Sequence, residues 1–159
     1  MRIIYGTSRE TEANRSAAER LNSEVLWWGP AIVKADTDVN EADLKSDCIF
    51  LVGRPESNKV TEKFEDVFPI KFDKDKFTWH GTTYAQPTQA LAQIVENPKG
   101  AHNLIIMLAG LSAQATQGFS YAFLDSADRS YVILDGDKQL LTGDWEDVDS
   151  NLYWNFDTH

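Results

Sequence analysis

The apolar positions change their period soon after the chain begins. Residues 3–5 form a short apolar run that predicts a strand. From Glu10 onward the apolar residues are spaced four apart, which places them on one face of a helix; they are Ala13, Ala17, Leu21 and Val25. Gly29 and Pro30 end that helix, because neither residue continues a helical pattern. The chain therefore opens with a strand-to-helix unit joined by the loop 6–9.

The middle of the chain predicts two more strand-and-helix units. Residues 31–36 and 48–53 are apolar runs, and the second is continuous, as in a strand covered on both faces. Between them, Asn40 is a candidate N-cap for a short helix over 39–46. After the second strand, Pro55 stands where a first helical residue is favoured, ahead of an apolar stripe spaced four apart.

The second half of the chain is predicted to be richer in strands. Residues 70–85 alternate and carry aromatic and threonine residues, which indicates one or two antiparallel hairpins. Residues 88–110 contain two apolar runs around a turn cluster, so we interpret them as strand, turn, strand, with a helix over 88–95 as the alternative. A helical period over 112–126 and two apolar runs after residue 129 complete the pattern.

Repeated strand-and-helix units followed by hairpins predict an α/β fold. We expect a three-layer Rossmann-like or flavodoxin-like sheet, mostly parallel, with antiparallel hairpin additions. The chain has 159 residues and shows no internal repeat, low-complexity tract or linker. We therefore predict a single α/β domain over residues 1–159.

The composition narrows the classes of partner. The formal net charge is −10, from 25 acidic and 15 basic residues, and such a field repels nucleic acid. No apolar run approaches the roughly 20 residues that span a bilayer, and the first residues show no signal-peptide pattern. Cys48 is the only cysteine, which excludes intrachain disulfides, and its apolar neighbours indicate a small buried hydrophobe. We predict an acidic protein with neither a nucleic-acid partner nor a membrane span.

Three glycine-led loops are candidates for a ligand site. They are residues 6–9, 53–58 and 110–114, each after a predicted strand and before a predicted helix. In open α/β sheets, ligands favour the crevice beyond the carboxyl ends of the parallel strands. The candidate ligand-binding residues in these loops are Thr7, Ser8, Arg9, Arg54, Asn58 and Ser112. A small-ligand or anion-binding module is accordingly one of three functions that we consider.

The first loop carries a pattern that argues against anion binding. Residues 7–10, Thr-Ser-Arg-Glu, match a capping box, in which Thr7 and Glu10 satisfy the helix start reciprocally. Glu12 adds a second negative charge in the same turn, where an anion would lie. Neither Gly-x-Gly-x-x-Gly nor Gly-Lys-Ser/Thr is present. The pattern favours a structural turn, and we expect Arg54 and Asn58 to brace neighbouring loops.

The third loop resembles a nucleophile elbow, Gly-x-Ser-x-Gly, except that Gln114 replaces the last glycine. A hydrolase-order triad needs a later histidine, and only His159, the final residue, follows. We therefore favour Ser112 as an N-cap and predict no catalytic residue, which leaves a weak serine hydrolase as the least favoured function.

Metal and cofactor sites are not predicted. His80 and His102 have no histidine or cysteine partner at ligand spacing. The acidic residues between 135 and 149 lack the spacing of a calcium loop, so a solvated surface is favoured.

The adjacent tryptophans at 27 and 28 cannot both face the core of one helix. We expect one of the two rings to be exposed or to cover another element. Aromatic rings at strand ends can mark a protein or sugar contact, although most tryptophans simply pack.

Several segments together resemble a known kind of module. They are "YGTSRETEANRSAAERL", "VKADTDV", "FLVGRPESNKV" and "SYVILDG…LTGDW". The module is the α/β accessory domain appended C-terminally to large secreted bacterial proteins of the α/β-hydrolase or peptidase-like type. The chain keeps Asn97 and Pro98 of its Pro-Asn-Pro turn, but residues 143–146 depart from its Gly-Phe-Phe-Asp ending.

The resemblance implies a non-catalytic accessory or interaction role and carries no catalytic residue onto this chain. Its implied partners are other domains of a hydrolase-associated parent protein. The implied location is extracellular or periplasmic, with a cytoplasmic location left open.

Overall fold

The computed structural model describes residues 1–119 and 128–145. In chain order the elements are β1 (Arg2–Tyr5), α1 (Thr11–Glu24), β2 (Ile32–Ala35), β3 (Cys48–Val52), α2 (Lys59–Lys63), β4 (Phe72–Asp73), β5 (Lys76–Trp79), β6 (Thr82–Tyr84), β7 (Gln89–Glu96), β8 (Leu104–Gly110), α3 (Ala113–Gly118), β9 (Tyr131–Asp135) and β10 (Lys138–Gly143). The later part of the helix predicted over 112–126, the acidic residues after 145 and His159 lie outside the described residues.

The main sheet is mixed. Among the described residues seven strands pair in the order β10-β9-β7-β8-β3-β1-β2. The ladders joining β2, β1, β3 and β8 are parallel, and those joining β8, β7, β9 and β10 are antiparallel. The α/β class is therefore confirmed, whereas half of the ladders depart from the mostly parallel sheet that we expected.

A short connection explains the change of direction at β7. Only residues 97–103 separate β7 from β8. Parallel neighbours need a crossover of about a dozen residues or more, so a turn of this length permits only an antiparallel pair. The strand, turn, strand interpretation of 88–110 is confirmed, and the helical alternative over 88–95 is wrong.

The predicted hairpins form a separate small sheet. Strands β4, β5 and β6 pair antiparallel in that order. Lys74 and His80 adopt positive φ values of 57° and 48° at the two turns. Phe77 and Tyr84 are paired across β5 and β6, and their rings stack with centroids 5.0 Å apart. This sheet supplies a buried aromatic surface to the core.

Different elements cover the two faces of the main sheet. Along β3, Ile49 and Leu51 face one buried cluster, while Phe50 and Val52 face the other. The first cluster also contains residues of α2 and the small sheet, and the second contains residues of α1. Because β3 is covered on both faces, its side chains are apolar without alternation.

A buried carboxylate ties the turn before β3 to β1 and β2. Asp43 is 2% exposed and accepts bonds from Arg2 Nε and Lys34 Nζ, each at 2.7 Å. The bond from Lys34, helped by those from Arg2 and the Asn40 N–H, holds the pKa of Asp43 far below its ordinary value, although burial acts to raise it. The predicted helix over 39–46 is a 3₁₀ turn, Asp43–Lys45. The side chain of Asn40 caps this turn by accepting from the N–H groups of the following residues.

Replacing this carboxylate is expected to destabilise the fold. Asp43→Asn should lower the free energy of unfolding by roughly 3 kcal/mol, because two cations lose a buried partner. Urea unfolding followed by circular dichroism measures the change. The exposed acid Asp47, in the same connection, provides the control. Asp47→Asn should shift the free energy by less than about 0.5 kcal/mol, and equal losses in the two variants would contradict the assignment.

The same carboxylate gives the stability a pH dependence. Because the folded-state pKa of Asp43 is depressed, its contribution is present at neutral pH and is lost as the pH falls below the ordinary value of 3.8. Between about pH 5 and about pH 2, the melting temperature of the wild-type chain should fall more steeply than that of Asp43→Asn. Parallel curves for the two proteins would show that Asp43 does not supply the dependence.

Candidate functional site

The three glycine-led loops meet beyond the carboxyl ends of the parallel strands, as their positions after these strands predicted. They follow β1, β3 and β8, which are neighbours with the same direction. Backbone pairing continues into the first two loops, where Gly6 N–H donates to Val52 O at 3.0 Å. Likewise, Gly53 N–H donates to Leu108 O at 2.9 Å. We call residues 6–10, 53–58 and 110–112 together the strand-end loops.

Direct backbone contact joins the first two strand-end loops. The N–H of Ser8 donates to the carbonyl oxygen of Ser57 at 3.0 Å. A Cβ atom built on Gly6 would collide with that same carbonyl group. Glycine at position 6 therefore lets the two loops approach this closely, and any larger residue would push them apart.

Arg54 links all three strand-end loops. Its side chain is 8% exposed, and Nη2 donates to Glu10 Oε1 at 3.1 Å. Nη1 donates to the carbonyl oxygen of Gly110 at 3.3 Å. Nε is buried and has no hydrogen-bond partner among the described residues. One guanidinium thus connects the first loop to the third while one of its N–H groups remains unpaired.

Asn58 fixes the second loop. It is fully buried, and Nδ2 donates to the carbonyl oxygens of Ile4 and Val52 at 3.1 and 3.0 Å. Its Oδ1 accepts from the N–H groups of Val60 and Thr61, which makes Asn58 the N-cap of α2. The expectation that the helix starts at residue 55 is therefore wrong, because the buried amide sets the first turn instead.

The predicted capping box in the first loop is absent. The α1 helix begins at Thr11, and Glu10 is its N-cap residue in a left-handed conformation with φ of 55° and no side-chain cap. Thr7 Oγ1 donates instead to Asp36 Oδ1 at 2.6 Å, while the Glu10 carboxylate accepts from Arg54. Charge-assisted bonds from other elements outcompete the local pattern. The first N–H groups of α1 are consequently not used by a capping side chain.

Ser8 and Arg9 lie at the exposed rim of the strand-end loops. The Arg9 side chain is 62% exposed, and its Nη1 pairs with Glu56 Oε2 at 2.8 Å. Such an exposed ion pair contributes little to stability. Of the six candidate residues, these two present polar groups to solvent, while Arg54 and Asn58 are buried.

Ser112 is the N-cap of α3, as predicted. Its Oγ accepts from the N–H of Ala115 at 3.1 Å and donates to the carbonyl oxygen of Pro87 at 2.6 Å. Both the hydroxyl proton and a lone pair are engaged in structural contacts. The hydroxyl therefore holds the third loop against the segment before β7.

Two buried residues of the site escaped the sequence analysis. Asp36 is 6% exposed and accepts from Thr7 and from the N–H of Lys59 at 2.8 Å. Asn14 is fully buried and donates to the carbonyl oxygens of Gly6 and Arg9. Their sequence signals were weak but present: an acid directly after an apolar strand, and an amide beside the apolar stripe of α1.

The titratable groups elsewhere are dispersed. Among residues 1–119 and 128–145, no group of three or more histidine, cysteine, aspartate or glutamate side chains is placed to hold a metal ion. Cys48 is partly buried, and desolvation raises its pKa to about 12. At neutral pH its thiol is protonated, so it is a poor nucleophile.

An exposed apolar surface lies at the opposite side of the sheet from β10. It consists of Leu26, Trp27 and Ile32, which are 61%, 73% and 49% exposed, and we call it the β2-edge surface. Trp28 turns inward and stacks on Phe50 with ring centroids 6.3 Å apart. The expectation that the two tryptophans diverge is confirmed.

Comparisons with known proteins gave no significant match to a protein-family model, a curated protein or a solved structure. No helix in the described part of the chain is long and apolar enough to cross a membrane. The contacts of the strand-end loops and the exposure of the β2-edge surface are therefore the basis for assigning a function.

The role of Asn58 is open to a direct test. Asn58→Asp should lower the free energy of unfolding by roughly 3 kcal/mol, because it buries a charge and removes the donor to two carbonyl groups. Asn40→Asp is the matched control, since Asn40 is an exposed cap whose oxygen alone accepts from the following turn. Chemical denaturation of both variants measures the difference, and similar free energies would contradict the proposed bracing.

Proposed function

We propose that the chain is a non-catalytic interaction domain of a larger, secreted, hydrolase-like protein, and that its β2-edge surface docks against another domain of that protein. The observation that carries this proposal is the exposure of Leu26, Trp27 and Ile32, which precede or begin β2, the last strand of the main sheet among the described residues. Tryptophan is enriched among the residues that dominate binding energy at protein interfaces.

The β2-edge surface has the properties of a docking site. Among the described strands, β2 pairs only with β1, so its other edge has no strand partner. The Trp27 ring packs edge-to-face on Trp28 with centroids 5.0 Å apart, and Trp28 in turn stacks on buried Phe50. A large apolar side chain held in this way loses little freedom on binding. Soluble proteins usually protect an open apolar strand edge, which supports a covering partner.

The strand-end loops also support an interaction role. Asn58 uses its polar atoms to join the ends of β1 and β3, and Ser112 uses its hydroxyl to hold the third loop against the segment before β7. The formal net charge of −10 favours a partner surface with basic residues around an apolar centre. The partner in this proposal is therefore another domain of opposite charge, and the location is extracellular or periplasmic.

We also propose that the parallel half of the sheet is related to flavodoxin-like sheets. Its strands lie in the order β2-β1-β3-β8, counted as 2-1-3-4 among the parallel strands. Flavodoxin-like sheets begin with this order.

The proposal requires that the remainder of a longer protein binds this chain. When the two parts are expressed separately, Trp27→Glu should weaken their association by at least about tenfold, as expected for a central aromatic anchor. Isothermal titration calorimetry measures the affinity. Leu140 provides the control, because it is 37% exposed on β10 at the other edge of the sheet.

Leu140→Glu should leave the affinity within about threefold of the wild-type value. Equal weakening by the two variants would reject the β2-edge surface as the docking site. A gene that encodes this chain alone would reject the accessory role.

A further inference from the structure

We propose that Arg54 is the cation of an anion-binding site at the start of α1, in which Glu10 is an internal competitor. A small molecule carrying a phosphate group displaces the Glu10 carboxylate from the guanidinium and takes its place. This site is distinct from the β2-edge surface and does not depend on the docking function proposed above.

The topology places this site where open α/β sheets bind ligands. From β1 the chain passes to β2 on one side of it, and β3 then pairs on the other side. The strand order therefore reverses between β1 and β3. Ligands of open α/β sheets lie outside the carboxyl ends of the strands at such a reversal. Glu10 and Arg54 belong to the loops that leave these two strands.

The start of α1 offers N–H donors to an anion. The first backbone bond of this 14-residue helix runs from the Asn14 N–H to the Glu10 carbonyl oxygen at 2.9 Å. The N–H groups of residues 11–13 precede that bond and have no acceptor within the helix. Among residues 1–119 and 128–145 no side chain caps them, and Thr7 is bonded to Asp36 instead. Free N–H groups at a helix start, together with the helix dipole, favour a bound phosphate.

Arg54 supplies an independent indication of a ligand. The residue is 7% exposed, and its buried Nε has no hydrogen-bond partner among the described residues. Its bonds to Glu10 and Gly110, at 3.1 and 3.3 Å, are longer than the roughly 2.7–2.9 Å of strong charge-assisted bonds. A guanidinium presents a fork of donors that matches the oxygens of a phosphate. The guanidinium therefore contacts Glu10, the residue that precedes α1, and still has one unpaired donor.

Glu10 occupies the position that the anion would take. Its side chain is 22% exposed, so solvent reaches part of it and its displacement does not require opening the core. A carboxylate next to an arginine at a helix start mimics the negative charge and the acceptor oxygens of a phosphate group. The contact is thus a closed state of the site, and the apparent affinity for phosphate is proportional to the fraction of molecules in which Glu10 has left Arg54.

Charged residues around Arg54 affect the affinity of the site for phosphate. Arg9 adds an exposed cation at the rim, although Glu56 pairs with it at 2.8 Å. Glu12 is an exposed acid in the first turn of α1 and opposes any anion there. Glu12 is the matched control for Glu10. It lies only two positions further along the chain, whereas the carboxylate that Arg54 contacts is that of Glu10.

The experiment titrates inorganic phosphate into three proteins at constant ionic strength, with chloride as the balancing anion. The readout is the ¹H–¹⁵N resonance of Arg54 Nε, assigned by its loss in Arg54→Lys. Glu10→Gln should bind phosphate at least about tenfold more tightly than the wild type, because the competitor is removed. Glu12→Gln removes the same charge from the same turn and should improve binding by no more than about threefold.

Equal affinities of Glu10→Gln and Glu12→Gln would overturn the proposal, since only the net charge would then matter. An Arg54 Nε resonance that does not move would overturn it as well. If Glu10→Gln does not fold, the wild-type chain decides the question. A saturable shift of its Arg54 Nε resonance below about 50 mM phosphate would support the site, and no such shift would overturn it.

Discussion

The arrangement of the strand-end loops depends on one buried amide. Asn58 is fully buried, and its four hydrogen bonds join the ends of β1 and β3 to the first turn of α2. A neutral amide suits this position, because it supplies donors to two carbonyl groups and an acceptor for two N–H groups without burying a charge. Everything else in the loops is placed relative to these strand ends.

The charged residues of the loops act within that framework. Asp36 holds Thr7 and the start of α2, while Arg54 reaches across to Glu10 and Gly110. These charged side chains join segments that are far apart in sequence, so their contacts form only when the sheet is assembled. The contacts of these buried polar groups are therefore determined by the tertiary structure more than by local propensity.

This distinction explains which parts of the structure the sequence could predict. The strands β3, β7 and β8 were recognisable from continuous apolar runs and a turn cluster, since burial on both faces leaves a direct pattern in composition. The antiparallel pair of β7 and β8 follows from the short turn, but the position of β9 beside β7 is a contact between residues about 40 positions apart that no local pattern encodes.

The candidate site shows the same limit. The three loops were placed together correctly from the strand-to-helix order, but the capping box of Thr7 and Glu10 was wrong. Both side chains found stronger partners on distant elements, Asp36 and Arg54. A local motif is reliable only where no buried charge from elsewhere competes for the same groups.

The order of strands in the sheet also has a consequence for how the chain folds. Strand β3 pairs with β8, and Cys48 lies opposite Leu104, so a long segment must be closed into a loop before this central ladder forms. Loop closure of this kind loses chain entropy before burial compensates for it. Folding should therefore be slow for a domain of this size, on the order of milliseconds to seconds. Until β8 arrives, the apolar strand β3 lacks its neighbour on that side and is open to pairing with another chain.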